Sequence, residues 1–208
     1  RDLIAPSIYR VPDDLDDPLL SDYLQQVWRP LLDSAQARGE LPPDADQRYA
    51  WRLLLLREPS VNAFALPGGY LGVHMGLLAT VASADELASV LAHELSHVSQ
   101  RHIARLLTQQ SRQAPWMIAS MLLGVLAASK SKNADIGNAA IVGGQALALQ
   151  TQLNFSRDME READRVGYGI MTGAGFDGAG FATLFDKLQQ ASRLNDDGAF
   201  PYLRSHPL

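Results

Sequence analysis

Residues 83–110 of this 208-residue chain, SADELASVLAHELSHVSQRHIARLLTQQ, carry its clearest helical pattern and constrain the fold more than any other stretch. Ser83 and Glu86 match a Ser-x-x-Glu capping box, in which each side chain satisfies a free backbone N–H at the helix start. Apolar residues then recur at helical spacing and can form a buried face. These residues are Leu87, Val90, Leu91, Val98 and Leu106. We therefore predict one long helix packed into the core.

Short strands are predicted before this helix. The segment RYAWRLLLLRE has the composition and length of a strand. In VNAFALPGGYLGVHMGLL, two short strands flank the turn formed by Pro67, Gly68 and Gly69. An earlier helix is predicted to begin at the N-cap Ser21 and end at Gly39. It follows an acidic, proline-bounded lead-in over residues 1–20.

The second half of the chain is predicted to be mostly helical. Residues 111–150 contain two short apolar pieces, which favour a buried helical hairpin. The alternative is a mobile flap over the active site or contact with a membrane surface through 115–129. No apolar run reaches the ~18 residues of a spanning helix. A helix capped by Ser156 and stopped by Gly173 follows, then a last helix in DGAGFATLFDKLQQASR and an irregular tail over 195–208. The predicted fold class is α+β, mainly α, in a single domain over residues 1–208.

Composition excludes several classes of function. The chain has no cysteine, so disulfides, thiolate metal sites and a cysteine nucleophile are excluded. Its net charge of -5 argues against nucleic-acid binding. The opening residues RDLIAPSIYR include neither an initiator methionine nor a signal-peptide apolar region, so we expect a mature or trimmed product.

The central helix contains the metal-binding pattern His93-Glu94-x-x-His97. Residues four apart lie on one helical face, so His93 and His97 can bind the same ion. Glu94, one step round the helix, can reach a water molecule on that ion without binding the metal itself. The alternative is a solvated polar face, but the apolar neighbours of both histidines and the strong helix cap argue against it.

A third protein ligand is expected, because catalytic zinc usually takes three and leaves one position for water. A histidine further along the same helix is excluded, because the positions that would hold the required Gly and His are Gln100 and Ile103. The segment MEREAD offers Glu160 and Glu162 instead. Glu160 is preferred, because Asp164 lies four residues later and can accept the outer N–H of a zinc-bound histidine, expected to be His93.

Three segments resemble the zinc metallopeptidase family that includes HtpX and the CAAX prenyl protease, and within it the BepA-like periplasmic branch. They are PSVNAFALPGGYLGVHMGLL, ELASVLAHELSHVSQRH and NFSRDMEREADRVGY. The resemblance implies a gluzincin fold with a small sheet packed on the HExxH helix. It also implies one zinc ion per chain, bound by His93, His97 and Glu160, with Glu94 as catalytic base. BepA-like proteins usually carry tetratricopeptide repeats after the protease domain, so the chain is either truncated or a shorter relative.

The resemblance implies a periplasmic zinc endopeptidase that cleaves unfolded or misfolded outer-membrane proteins and works beside the outer-membrane assembly machinery. The alternative is a chaperone-like binding module with a latent zinc site. A zinc hydrolase acting on another amide, such as peptidoglycan, is a third possibility. The tail segment LRSHPL resembles one whose histidine approaches the zinc, which makes His206 a candidate fourth ligand of a latent state.

Two parts of the substrate site are open at this stage. The candidates for a second oxyanion donor are Tyr202, Tyr168, His206 and Arg161. The strand near VNAFAL is expected to offer an exposed edge to which an extended substrate adds as a strand. His74 is expected to be structural, and His102, five residues after His97, is expected to point away from the metal face.

Overall fold

The computed structural model describes residues 15, 17–109, 111, 134–194 and 200–206. Within them the elements follow in the order helix, short helix, three strands and six helices. The first elements are α1 (Pro18–Ala37), α2 (Ala45–Arg48), β1 (Arg52–Leu56), β2 (Ala63–Leu66) and β3 (Tyr70–His74). The later helices are α3 (Met75–Thr80), α4 (Ala84–Ser99), α5 (residues 102–109), α6 (Ala134–Gly173), α7 (Ala179–Leu194) and α8 (Pro201–Ser205).

The three strands form one small sheet in the order β1-β3-β2. The turn over Pro67, Gly68 and Gly69 joins β2 and β3 as an antiparallel hairpin, as predicted, with positive φ at both glycines. β1 pairs with β3 in parallel, in the register Arg52 with Tyr70. Strand β2 therefore lies at one edge of the sheet, and it packs against α4. The α+β, mainly α class with a small sheet on the central helix is confirmed.

Backbone contacts divide the chain into two compact units. The first contains residues 1–100 and 162–208, and the second contains residues 101–161. The core of the first unit includes Trp28 and Leu31 from α1, Leu71 from β3 and Leu91 from α4. In the second unit, helix α5 and the beginning of α6 are described, and the Arg105 guanidinium lies 5.8 Å from the Phe155 ring centroid.

Helix α1 begins one turn earlier than predicted. Asp17, not Ser21, is the N-cap, and its carboxylate accepts hydrogen bonds from the backbone N–H groups of Leu19 and Leu20. Pro18 occupies the first turn, where its missing N–H costs nothing. Residues 18–20 are thus helical and not part of the lead-in. The helix ends before Gly39, which has a φ of +74°, as predicted.

Three helix boundaries from α4 onwards differ from the prediction. Helix α4 ends at Ser99, and Arg101 has a φ of +56°, so the predicted helix over 83–110 is broken into α4 and α5. Ser156 is not an N-cap, because α6 already begins at Ala134 and continues to Gly173. The tail is not wholly irregular, because α8 forms with Pro201 in its first turn.

The apolar segment 111–150 lies largely outside the described residues, and the membrane-surface contact expected through 115–129 lies outside them entirely. Residues 134–150 belong to α6. Among the helices of the described residues, none combines the length and apolar character needed to cross a membrane.

Candidate metal centre

Helix α4 presents His93, Glu94 and His97, and its start is held by side chains. The Ser83 hydroxyl accepts a hydrogen bond from the Glu86 N–H, as the capping box predicts. The Glu86 carboxylate accepts from the backbone N–H of Ala82 rather than from Ser83. The predicted capping box is therefore present, but its second hydrogen bond is donated by the N–H of Ala82 instead of that of Ser83.

Glu86 also forms an ion pair that the sequence did not predict. Its Oε2 atom lies 2.6 Å from Lys187 Nζ on α7, and the same ammonium reaches Thr80 O at 3.3 Å. Burial alone would raise the pKa of Glu86, but hydrogen bonds from Lys187 and the Ala82 N–H outweigh it, and the net pKa is lowered. The pair ties the start of the helix that presents His93 to α7.

We expect Lys187→Met to destabilise the fold by about 2 kcal/mol at pH 7. This loss of stability is smaller than the loss expected from breaking a fully buried ion pair, because the Lys187 side chain is 35% exposed. The folded pKa of Glu86 lies below its ordinary value of 4.5, so its stabilisation is complete above that value and is lost as the pH falls through the folded pKa. Urea unfolding at pH 7 and pH 3 tests this. An equal effect of the substitution at both pH values would contradict it.

Three imidazole nitrogens converge beside α4. His93 Nε2 lies 3.0 Å from His97 Nε2 and 3.1 Å from His206 Nδ1. Ligands at 2.0–2.1 Å around a tetrahedral zinc ion lie about 3.3 Å apart, close to these separations. His93 is 1% exposed, so little water reaches the place where these nitrogens meet.

The hydrogen bonding of His93 makes a shared cation a better fit than hydrogen bonds alone. His93 Nδ1 lies 2.9 Å from Asp164 Oδ1, and a carboxylate accepts, so Nδ1 carries the proton. Nε2 then offers one in-plane lone pair, yet His97 and His206 both approach it. One lone pair cannot accept two good hydrogen bonds, whereas a cation between the rings would satisfy all three nitrogens. The donor set of imidazoles and a carboxylate also suits zinc.

Glu160 lies in α6 one helical turn before Asp164, and residues four apart share a helical face. Within the first unit, His93, His97 and His206 can each offer one ligand atom, and these atoms all lie within 4.8 Å of one another. These described residues could hold a metal ion.

The tail brings its histidine between the other imidazoles and Glu94. His206 Nδ1 faces His93, while His206 Nε2 lies 3.2 Å from Glu94 Oε1. Tyr202 fixes the tail helix α8, because its ring is buried and its N–H donates to Val61 O at 3.2 Å. Val61 lies two residues before β2, so the tail also contacts the approach to the edge strand.

The other candidate residues lie in different surroundings. Tyr168 is exposed and contacts the Phe181 ring, and Arg161 is exposed beside Asp158. Tyr202 is nearer, with its ring 6.3 Å from the His93 ring. Sequence reasoning did not find Lys187 or the anchoring role of Tyr202, because both contacts join residues far apart in the chain.

The two histidines not expected to bind the metal, His74 and His102, are both at least partly buried. Ser60 Oγ lies 2.9 Å from His74 Nδ1, and the His74 ring meets the edge of Phe64. Burial lowers the pKa of His74, which favours the neutral ring. His102 is 2% exposed in α5.

Comparison with known proteins assigns the chain to a family. The sequence profile described as Peptidase family M48 matches residues 18–208. The chain belongs to peptidase family M48. The metalloprotease class expected from the motif is confirmed at the level of this M48 family, whose members are metal-dependent.

The M48 relatives include proteins named beta-barrel assembly-enhancing protease. The one from Escherichia coli strain K12 is 33% identical over 93% of this chain and 37% of its own length. One from Yersinia pestis is 35% identical over 91% of this chain and 35% of its own. The mitochondrial metalloendopeptidase OMA1 of Arabidopsis thaliana is 34% identical over 76% of this chain and 29% of its own length. The chain thus spans between 29% and 37% of the length of these relatives.

Proposed function

We propose that this chain is a zinc endopeptidase domain that cleaves unfolded or misfolded outer-membrane proteins in the periplasm. The observation that carries the proposal is the convergence of three imidazole nitrogens beside the buried Glu94 carboxylate. Family membership supports the peptidase chemistry. The name of the E. coli relative, a beta-barrel assembly-enhancing protease, supports the substrate class and the expected association with outer-membrane assembly.

In this proposal His93, His97 and Glu160 hold the ion, and Asp164 keeps His93 in the tautomer that binds through Nε2. A bound zinc ion supplies Lewis acidity, which lowers the pKa of a bound water towards ~7. Glu94 accepts the proton of the attacking water and later donates it to the leaving amine. The buried surroundings of Glu94 exclude bulk water from this transfer.

We propose that the substrate binds along the outer edge of strand β2. Among the described strands, β2 pairs only with β3, so its other side can accept an extended polypeptide. Main-chain hydrogen bonds along such an edge give affinity with little demand on sequence. This mode of binding suits unfolded chains, whose backbone is available, and disfavours folded barrels, whose backbone is paired.

The test is cleavage of one outer-membrane β-barrel protein in two forms, urea-unfolded and then diluted, or folded in detergent micelles. We expect the metal-free chain to be inactive and zinc to restore cleavage of the unfolded form alone. Equal cleavage of both forms would contradict the edge-strand part of the proposal. Zinc binding without cleavage by the wild type or by His206→Ala would favour the chaperone-like alternative.

His206 is proposed as a ligand of a closed, latent state. Its Nδ1 atom approaches the histidine cluster while its Nε2 atom approaches Glu94, so one ring contacts both the ligands and the base. Activity requires the fourth position to be open for water. The same tail places Tyr202 against Val61, next to the proposed substrate edge, so closing would also hinder substrate binding.

We expect His206→Ala to raise the cleavage rate about tenfold, the gain expected if the open form is one-tenth populated in the wild type. The measurement is the initial rate on the unfolded substrate at saturating zinc, with zinc content determined for both proteins. An unchanged or lower rate with zinc retained would count against the latch.

A further inference from the structure

Helices α4 and α6 lie close together beside His93, at a glycine. Gly167 is buried, and a Cβ added there would lie 3.1 Å from three backbone atoms: Ala92 C, Ala92 O and His93 Cα. Such a distance is tighter than nine in ten real Cβ contacts. The neighbouring atoms belong to a helix backbone, which cannot move aside as the end of a side chain can. A methyl group at position 167 therefore requires the two helix backbones to separate by a few tenths of an ångström.

The carboxylate that contacts His93 lies one turn away from this glycine. Asp164 and Gly167 are three residues apart on α6 and share a face, so the same approach that brings Gly167 onto α4 brings Asp164 to His93 Nδ1. The buried residues Ala163, Val166 and Ile170 flank Gly167 and hold this face against the core. A hydrogen bond of 2.9 Å weakens when its heavy atoms separate by a few tenths of an ångström.

We propose that Gly167 is a positioning residue of the metal centre, which sets the spacing of α6 from α4 so that Asp164 can fix the His93 ring. The inference rests on the proposed zinc site. A methyl group at position 167 moves α6 outward, lengthens the bond from Asp164 to His93, and lowers the basicity of the His93 nitrogen that faces the metal. Gly167 acts only through Asp164 and does not touch the ion.

The chain offers a matched control on the same helix. A Cβ added at Gly169 would meet only the far end of the Arg38 side chain among its three nearest atoms, and that group can move aside. Gly167→Ala and Gly169→Ala therefore share the same chemical change and the same gain in helix propensity of up to ~1 kcal/mol. They differ in whether the new methyl group faces the α4 backbone.

The experiment measures zinc affinity by competition with a chromophoric chelator, in wild type, Gly167→Ala, Gly169→Ala, Asp164→Asn and the double variant Asp164→Asn/Gly167→Ala. Loss of such a supporting hydrogen bond typically lowers metal affinity 10–100-fold, so we expect about a tenfold loss for Gly167→Ala and no loss for Gly169→Ala. If Gly167 acts through Asp164, the double variant binds zinc as Asp164→Asn does. Thermal unfolding of each metal-free protein is recorded alongside.

Three results would overturn the inference: wild-type affinity in Gly167→Ala, losses that multiply in the double variant, or failure of metal-free Gly167→Ala to fold, since the close approach would then serve packing. A long-range proton–nitrogen spectrum of the metal-free protein gives a second readout. We expect the His93 Nδ1–H signal to move towards that of Asp164→Asn. Failure of the proposed function is distinguishable, because the wild type itself would then bind no zinc, or would bind zinc without cleaving the unfolded substrate, and neither result depends on Gly167.

Discussion

Glu94→Gln is expected to lower the rate of peptide-bond cleavage about a thousandfold while zinc remains bound. Glu94 lies beside the histidine cluster but is proposed as a base and not as a ligand, so an amide at this position removes the proton acceptor and leaves the metal ligands intact. The amide has nearly the same shape, so the buried position, 1% exposed, is filled as before. The measurement is the single-turnover rate on an unfolded β-barrel substrate, with zinc content determined for the same sample.

Glu162→Gln is the matched control, since Glu162 lies two residues after Glu160 in α6 and is outside the proposed ligand set. We expect its rate to stay within about twofold of the wild type. A Glu94→Gln protein that kept its zinc and a tenth or more of the wild-type rate would show that another group accepts the proton.

His97→Ala is expected to remove most of the stability that zinc adds to the fold. At a free zinc concentration a thousandfold above the Kd, a single site stabilises the native state by about 4 kcal/mol. In a domain of this size that corresponds to a rise in Tm of about 8–16 °C. His97 is the suitable ligand to remove, because it is only partly buried and its loss disturbs the metal-free fold less than loss of His93.

The quantity to compare is the difference in Tm with and without zinc within each variant, which cancels the effect of the substitution on packing. His74→Ala is the control, since His74 contacts Ser60 and Phe64 and lies outside the cluster. We expect His74→Ala to lower the metal-free Tm but to keep the full rise with zinc. A His97→Ala protein with the same rise as the wild type would place the zinc elsewhere.

The sequence predicted the local parts of this structure well, because their causes are local. The turn at Gly68 and Gly69 needs positive φ, and Ser83 caps α4 within three residues of itself. The His93–His97 spacing follows from helical periodicity alone. The prediction that Glu160 and Asp164 share one face also required only a helix, which α6 provides.

The features that the sequence predicted wrongly or missed depend on competition between neighbouring capping residues and helices, or on contacts between residues far apart in the chain. Ser156 is a good N-cap, but a helix that already runs through it from Ala134 has no free N–H groups there to cap. Asp17 prevailed over Ser21 because Pro18 follows it in the preferred first-turn position. The Glu86–Lys187 pair spans 101 residues, and no local pattern indicates such a partner.

The distances along the chain between the clustered residues have a consequence for folding order. His93 meets Asp164 across 71 residues and His206 across 113, whereas β2 and β3 pair through a tight turn. Long-range contacts form only after the entropy of closing large loops has been overcome, so we expect the hairpin and α4 to form early and the histidine cluster late. A half-folded copy would then carry the His-Glu-x-x-His helix without its assembled partners. Such a copy could not cleave itself or other unfolded chains before its own structure was complete.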